Sequence, residues 1–155
     1  MHPNEALITR FYTAFQQRDS ATMGACYLPD ATFSDSVFVN LNGDQVRAMW
    51  EMLAKRAADM EMTFSDVKAD DTTGSAHWEA RYTFSSTGRK VHNVIDASFT
   101  FRDGLIATHR DHFSFHRWSS QALGLTGVLL GWTPFLQHKV QAQSRAVLDK
   151  YMASK

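Results

Sequence analysis

The chain has one cysteine, three prolines and no surplus of either charge, and each shortage removes a class of answer. With Cys26 alone, neither an intrachain disulfide nor a thiolate zinc site can form, and a buried, inert thiol is expected. Lys plus Arg and Asp plus Glu number 16 each, so the net charge is zero with histidine neutral. No basic run is present to neutralise a phosphate backbone, and no nucleic-acid partner is expected. The longest apolar-leaning run, 122–136, is too short and too broken by glycine to span a bilayer, so no membrane partner is expected either. The opening MHPNEALITRF lacks a charged stretch ahead of an apolar one, so no secretion leader is read and a cytoplasmic setting is expected. Dinucleotide, Walker and GxSxG patterns are missing too.

What remains is an aromatic-rich chain of 155 residues, long enough to bury one sizeable core without staples. Residues 3–17 carry Leu7, Ile8, Phe11, Tyr12 and Phe15 at helical spacing, with Pro3 suited to the first turn. A short second helix is predicted over 20–27, ended by Leu28-Pro29-Asp30, and a strand over 31–39 that includes Asp35. Asp44 can cap a third helix to about Asp59. From Glu61 the period becomes two. Strands are predicted over 62–69, 77–84 and 90–101, and Arg102-Asp103-Gly104 turns a tight hairpin into a last strand over 105–118. The fold class is therefore α+β, with helices packed on one face of a mostly antiparallel sheet. Residues 1–118 form the domain proper. Residues 119–155 add a glycine-spaced connection over 119–130, read as a possible lid, and a C-terminal helix from Pro134 packed on the same domain.

The last strand carries the chemistry. Its inner face reads Leu105, Ala107, His109, Asp111, Phe113 and Phe115, and its outer face Ile106, Thr108, Arg110, His112, Ser114 and His116. An Asp on an apolar face is expensive unless paired, hydrogen-bonded or protonated. Asp111 is thus a candidate acid/base with His109 beside it to polarise it or shuttle a proton, and Asp35 a candidate second carboxylate across a cavity. Candidate ligand contacts are Tyr12, Phe15, Tyr27, Trp50, Trp78, Tyr82, Asn93 and Phe113. Asn93 could orient a ligand carbonyl or simply bond Asp111, and the tyrosines are as compatible with core positions whose hydroxyls stay solvated. The outer His112 and His116 are about 13 Å apart on a strand, too far to share one ion, so no metal is expected.

The block FYTAFQQRDSATMGACYLPDATFSDS, the hairpin FRDGLIATHRDHF and the order of elements resemble the nuclear transport factor 2-like superfamily, in its SnoaL-like and ketosteroid-isomerase-like branch, over about residues 5–118. The resemblance implies a strongly bent sheet wrapped by helices into a cone, a ligand cavity inside, no cofactor, and a homodimer joined through the outer sheet face. It implies a base role for Asp35, by the position of the isomerases' catalytic Asp, and an acid/base role for Asp111, by the final-strand Asp of the cyclases in a pattern like HRDHF. It departs from the isomerases at Phe11, where they place an oxyanion tyrosine, and at Ala97, where they place a protonated acid. Glu79 and Arg81 fall nearest the catalytic pair of limonene-type epoxide hydrolases, but their phase points them outward. The expected function is binding of a small apolar or cyclic molecule, with acid/base chemistry of isomerase, cyclase or hydrolase type. The alternatives are a non-catalytic binder of hydrophobic ligands and a dimeric scaffold.

Overall fold

A computed structural model describes all 155 residues. Helix α1 (Pro3–Gln16) turns its apolar stripe inward, and its N-terminus is closed by His2 Nδ1, which accepts from Asn4 N at 3.0 Å. Helix α2 (Ser20–Ala25) is capped by Asp19. Strand β1 runs Tyr27–Ser34. It starts earlier than the alternation predicts and stops before Asp35, because Leu28-Pro29-Asp30 lies within the strand rather than ending a helix. That stretch interrupts the ladder between Tyr27 and Thr32, and Arg47 donates to the carbonyls of Gly24, Tyr27 and Leu28 around it. Helix α3 (Gly43–Arg56) is capped by Asn42, not Asp44: Asn42 and Gln45 exchange side-chain and backbone bonds as a capping box.

Strands β2 (Glu61–Ala69), β3 (Thr73–Phe84), β4 (Arg89–Arg102) and β5 (Leu105–His112) form the antiparallel meander. The Asp103-Gly104 turn has positive φ at both residues, the conformation that a two-residue hairpin requires. The sheet order is β1-β5-β4-β3-β2, with β1 alone running parallel to its neighbour. This curved, unclosed sheet wraps the main core, in which Ile8, Phe11, Tyr12, Phe33, Met49 and Ile106 are almost fully enclosed. Ile106 corrects the strand phase. The β4–β5 register shifts between Thr100 and Phe101, so a bulge at Ala107 turns Ile106 inward while His109 and Asp111 keep the expected face.

Beyond His112 the strand reading fails. Ser114 caps helix α4 (Phe115–Leu123), and α5 (Leu125–Leu130) and α6 (Pro134–Ala153) follow. The serine and histidine alternation in SFHRW imitates a strand, but Phe115, Trp118 and Ala122 share one helical face and join Leu136 and Val140 in a second apolar cluster. The glycines of 119–130 do not mark a loose connection. Gly124, at φ +67°, makes the turn between α4 and α5, and a Cβ on Gly127 would collide with the carbonyl of Ser119. Glycine here lets two short helices touch. Helix α6 lies against α3, where Tyr151 Oη donates to Glu51 Oε1 at 2.6 Å and Leu148 enters the main core.

Candidate functional site

The last paired positions of β1 and β5 are Phe33 with His109 and Ser34 with Arg110. One step further stand Asp35 and Asp111. In a parallel ladder, partners project to the same side of strands about 4.8 Å apart, so the inward position of Phe33 and His109 carries over to the two carboxylates. Both carboxylates border one cavity of about 150 Å³, whose wall is otherwise almost wholly apolar and includes Phe15, Trp50, Trp78 and Phe113. A second apolar chamber of about 260 Å³ shares Phe38, Leu53, Tyr82 and Trp118 with the first and is walled on its far side by α6. On the opposite side, Asp35 and Asp111 also border a polar hollow of about 230 Å³ with Ser34, Ser36, Arg110 and His112. The carboxylate pair separates greasy space from wet space.

Behind Asp111 lies a relay of hydrogen bonds closed to solvent. Trp50 Nε1 donates to Tyr27 Oη at 3.0 Å, Tyr27 Oη is 2.7 Å from His109 Nδ1, and His109 Nε2 is 2.9 Å from Asp111 Oδ1. Trp78 Nε1 donates to the same Oδ1 at 3.4 Å. Tyr27 Oη accepts from Trp50 and has its own proton to give to Nδ1; in that arrangement His109 carries a proton on Nε2 and donates it to Asp111 Oδ1. Burial raises Tyr27 well above the usual tyrosine range, so its hydroxyl keeps the proton. The Oδ2 of Asp111 has no partner in the chain and is the atom left for the cavity.

Asp35 is held differently. Its Oδ1 accepts from Val37 N at 2.7 Å and Phe38 N at 2.6 Å, closing a turn just past β1, while its other oxygen bonds to nothing in the chain. The turn role and the cavity role therefore coexist in one side chain. Burial raises its carboxyl to about 7; the two backbone donors oppose this and the charge of Asp111 adds to it. Two carboxyl groups thus share one cavity but not one environment: Asp35 is about half protonated near neutrality, while Asp111 is held by an indole and an imidazole.

Two further polar groups face the same space. Asn93 is buried, lines the cavity and has no side-chain partner in the chain, so the expected bond to Asp111 is absent and its amide is available to a ligand. Tyr82 Oη accepts from Trp118 Nε1 at 2.9 Å, and burial raises it above the usual tyrosine range, which leaves its proton free to donate. Of the residues expected at the site, Asp35, Asp111, Phe15, Trp50, Trp78, Tyr82, Asn93 and Phe113 line the cavity. His109, Tyr27 and Tyr12 do not. His109 and Tyr27 stand behind Asp111 and position it. Tyr12 is fully buried against Phe64 and Trp78, and its hydroxyl is neither solvated nor bonded. Trp118 is a lining residue that the sequence pattern concealed, because it was assigned to a strand. Met49 and Leu53 also line the cavity, and the inner stripe of α3 could have identified them. Glu79 points outward and pairs with His77 and His92. No three His, Cys, Asp or Glu side chains converge on a point where an ion could sit, and His116 lies on α4 rather than on the strand.

Residues 8–109 match the model of the SnoaL-like domain. No curated protein matches the chain. Among solved structures, an LEH-like epoxide hydrolase from M. tuberculosis superposes with a TM-score of 0.65 at 18% identity, over 83% of this chain and 96% of that one. IdmH from Streptomyces antibioticus, for which a polyketide cyclase role has been put forward, superposes with a TM-score of 0.65 at 21% identity, over 80% of this chain and 100% of that one. An NTF2-like protein of unknown function from Burkholderia pseudomallei gives a TM-score of 0.63 at 21% identity, over 73% of this chain and 92% of that one.

Proposed function

The chain belongs to the SnoaL-like domain family, and from that premise we propose that it is an acid/base enzyme that needs no cofactor and acts on a small, largely apolar cyclic molecule. The observation that carries this reading is the pair of carboxyl groups on one apolar cavity, held by different partners, with the Asp35 carboxyl raised by burial to about 7. Asp111 is the base and Asp35 the acid. For a carbonyl substrate, Asp111 Oδ2 takes a proton from the carbon next to the carbonyl, and the electron pair moves onto the carbonyl oxygen. Asp35 gives its proton to that oxygen or to a carbon further along. Asp111 is then protonated and Asp35 ionised, and exchange with solvent through the polar hollow restores the starting pair. Isomerisation, cyclisation and hydrolysis of an epoxide all need this division of labour; in the last, Asp111 takes its proton from water.

The apolar walls supply the binding, and Asn93 and Tyr82 orient a polar substituent. An apolar cavity of about 150 Å³ holds a molecule the size of benzene, so one ring fits the inner chamber and the remainder lies in the outer one. A cytoplasmic homodimer joined through the outer sheet face belongs to the same proposal.

The experiment is a thermal-shift screen with cyclic ketones, enones and epoxides, which reads binding to the native state. Each bound compound is then followed by nuclear magnetic resonance in heavy water with the wild type, Asp111→Asn and Asp35→Asn. Loss of turnover or of carbon-proton exchange in both variants, with binding retained, supports the enzyme. Compounds that bind but are neither converted nor exchanged by the wild type identify a binding protein instead.

A further inference from the structure

We propose that α5 and the start of α6 form a docking surface for an anionic lipid bilayer. The surface lies wholly beyond the SnoaL-like match, which ends at residue 109. Leu125, Leu129, Trp132 and Phe135 are 72%, 58%, 73% and 71% exposed, with Val128 and Leu130 beside them. Outside residues 125–135, the exposed large apolar side chains are Met1, Val39 and Val147, which are scattered along the chain. A patch of this kind in a folded segment marks a contact surface.

The charge around the patch selects the occupant. Between Asp111 and Asp149 the chain has no acidic residue, although the whole chain is neutral. Arg117, His138 and Lys139 are exposed in that interval. His138 and Lys139 sit three and four positions after Phe135 on α6, so they share its face and their head groups flank the apolar tip. Exposed leucine, tryptophan and phenylalanine in an acid-free segment that also carries the exposed cations Arg117 and Lys139 fit the boundary of a negatively charged membrane. A second copy of this chain would bring the same positive rim against itself. The absence of a spanning helix does not bear on this surface, since such a contact needs one apolar face and not a hydrophobic run. Its direction also suits the cavity: the outer chamber is walled by Leu123 of α4 and Val140 of α6, helices adjoining the patch.

The test is co-sedimentation of the full chain with vesicles of phosphatidylcholine alone and with about one third phosphatidylglycerol, at low and high salt. Binding is expected to the anionic vesicles, at least tenfold weaker without phosphatidylglycerol and weakened by salt. Trp132→Ser with Phe135→Ser is expected to reduce it at least tenfold, and Lys139→Glu to reduce it severalfold. All three sites are solvent-facing, so an unchanged melting temperature checks the fold. Trp132→Phe is expected to bind while losing most of the blue shift in tryptophan emission that vesicles induce. No binding to anionic vesicles, or equal binding by the double variant, overturns the proposal. So does a dimer in sedimentation velocity that the double variant splits while vesicles leave it untouched.

Discussion

Asp35→Asn separates the two duties of Asp35, because asparagine keeps the oxygen that accepts from Val37 N and Phe38 N while removing the charge. The folded protein raises this carboxyl from an ordinary 3.8 to about 7. Between those values the folded state holds a proton that the unfolded state has released, so stability falls as pH rises from about 4 to about 7 and the full cost stands above that. At 1.36 kcal/mol per pH unit the interval amounts to about 4 kcal/mol. Asp35 is not fully enclosed, so about 2–4 kcal/mol is expected. For a domain of this size that is about 5–15 °C in melting temperature. Calorimetry at pH 5 and pH 8.5 reads it directly. At pH 5, about one unit into that interval, the variant should melt only modestly above the wild type, by the equivalent of about 1–2 kcal/mol. At pH 8.5 it should melt well above it, and at both pH values it should lack catalytic activity. A variant that tracks the wild type at both pH values would refute the argument, for it would mean that Asp35 is ionised and solvated throughout.

Tyr27→Phe removes the proton given to His109 Nδ1 and leaves the Trp50 indole N–H without an acceptor. The expected cost is about 1–3 kcal/mol in denaturant unfolding, with a pH profile of turnover altered because the imidazole tautomer is no longer fixed. Tyr12→Phe removes a buried hydroxyl that bonds to nothing, so it should leave stability unchanged or raise it by about 1 kcal/mol, read as a small upward shift in melting temperature. Gly127→Ala drives a methyl group into the Ser119 carbonyl and should cost about 3 kcal/mol, with proteolysis of α5 accelerated ahead of the sheet.

Where a segment's periodicity was the only signal, it was read correctly as far as His112 except at the bounds of β1 and the face of Ile106. The meander, its hairpin turn and the inward phase of His109 and Asp111 all follow from alternation, because one buried face leaves little freedom of register. The failures have local causes. Ile106 was given the wrong face because a bulge inserts one residue, and nothing in LIATHR announces it. Residues 114–123 were read as strand and connection because two histidines and two phenylalanines happen to alternate; Ser114 followed three residues later by Arg117 was a cap signal outweighed by that pattern. Only the His109–Asp111 end of the relay was legible. Tyr27 was chosen as a donor to ligand and Trp50 as cavity lining, and it took coordinates to turn the Trp50 indole toward Tyr27 and the Tyr27 hydroxyl toward His109.

The relay also holds Asp111 within an apolar wall in a way its neighbour is not held. Two side-chain N–H groups converge on one oxygen of Asp111, and the donor behind one of them is locked in its tautomer by a tyrosine and a tryptophan. Such donors stabilise charge without having to reorient. Asp35 has two shorter backbone donors, at 2.7 and 2.6 Å, yet its burial and the Asp111 carboxylate beside it raise its carboxyl to about 7. Burial is the larger cause of its raised carboxyl, and the neighbouring carboxylate on a strand about 4.8 Å away adds to it. Substituting Asp111 by Asn should therefore lower the Asp35 carboxyl below 7. A carbon-detected titration of Asp35 in that variant reads the shift, and an unchanged midpoint would place the origin of its protonation in burial alone.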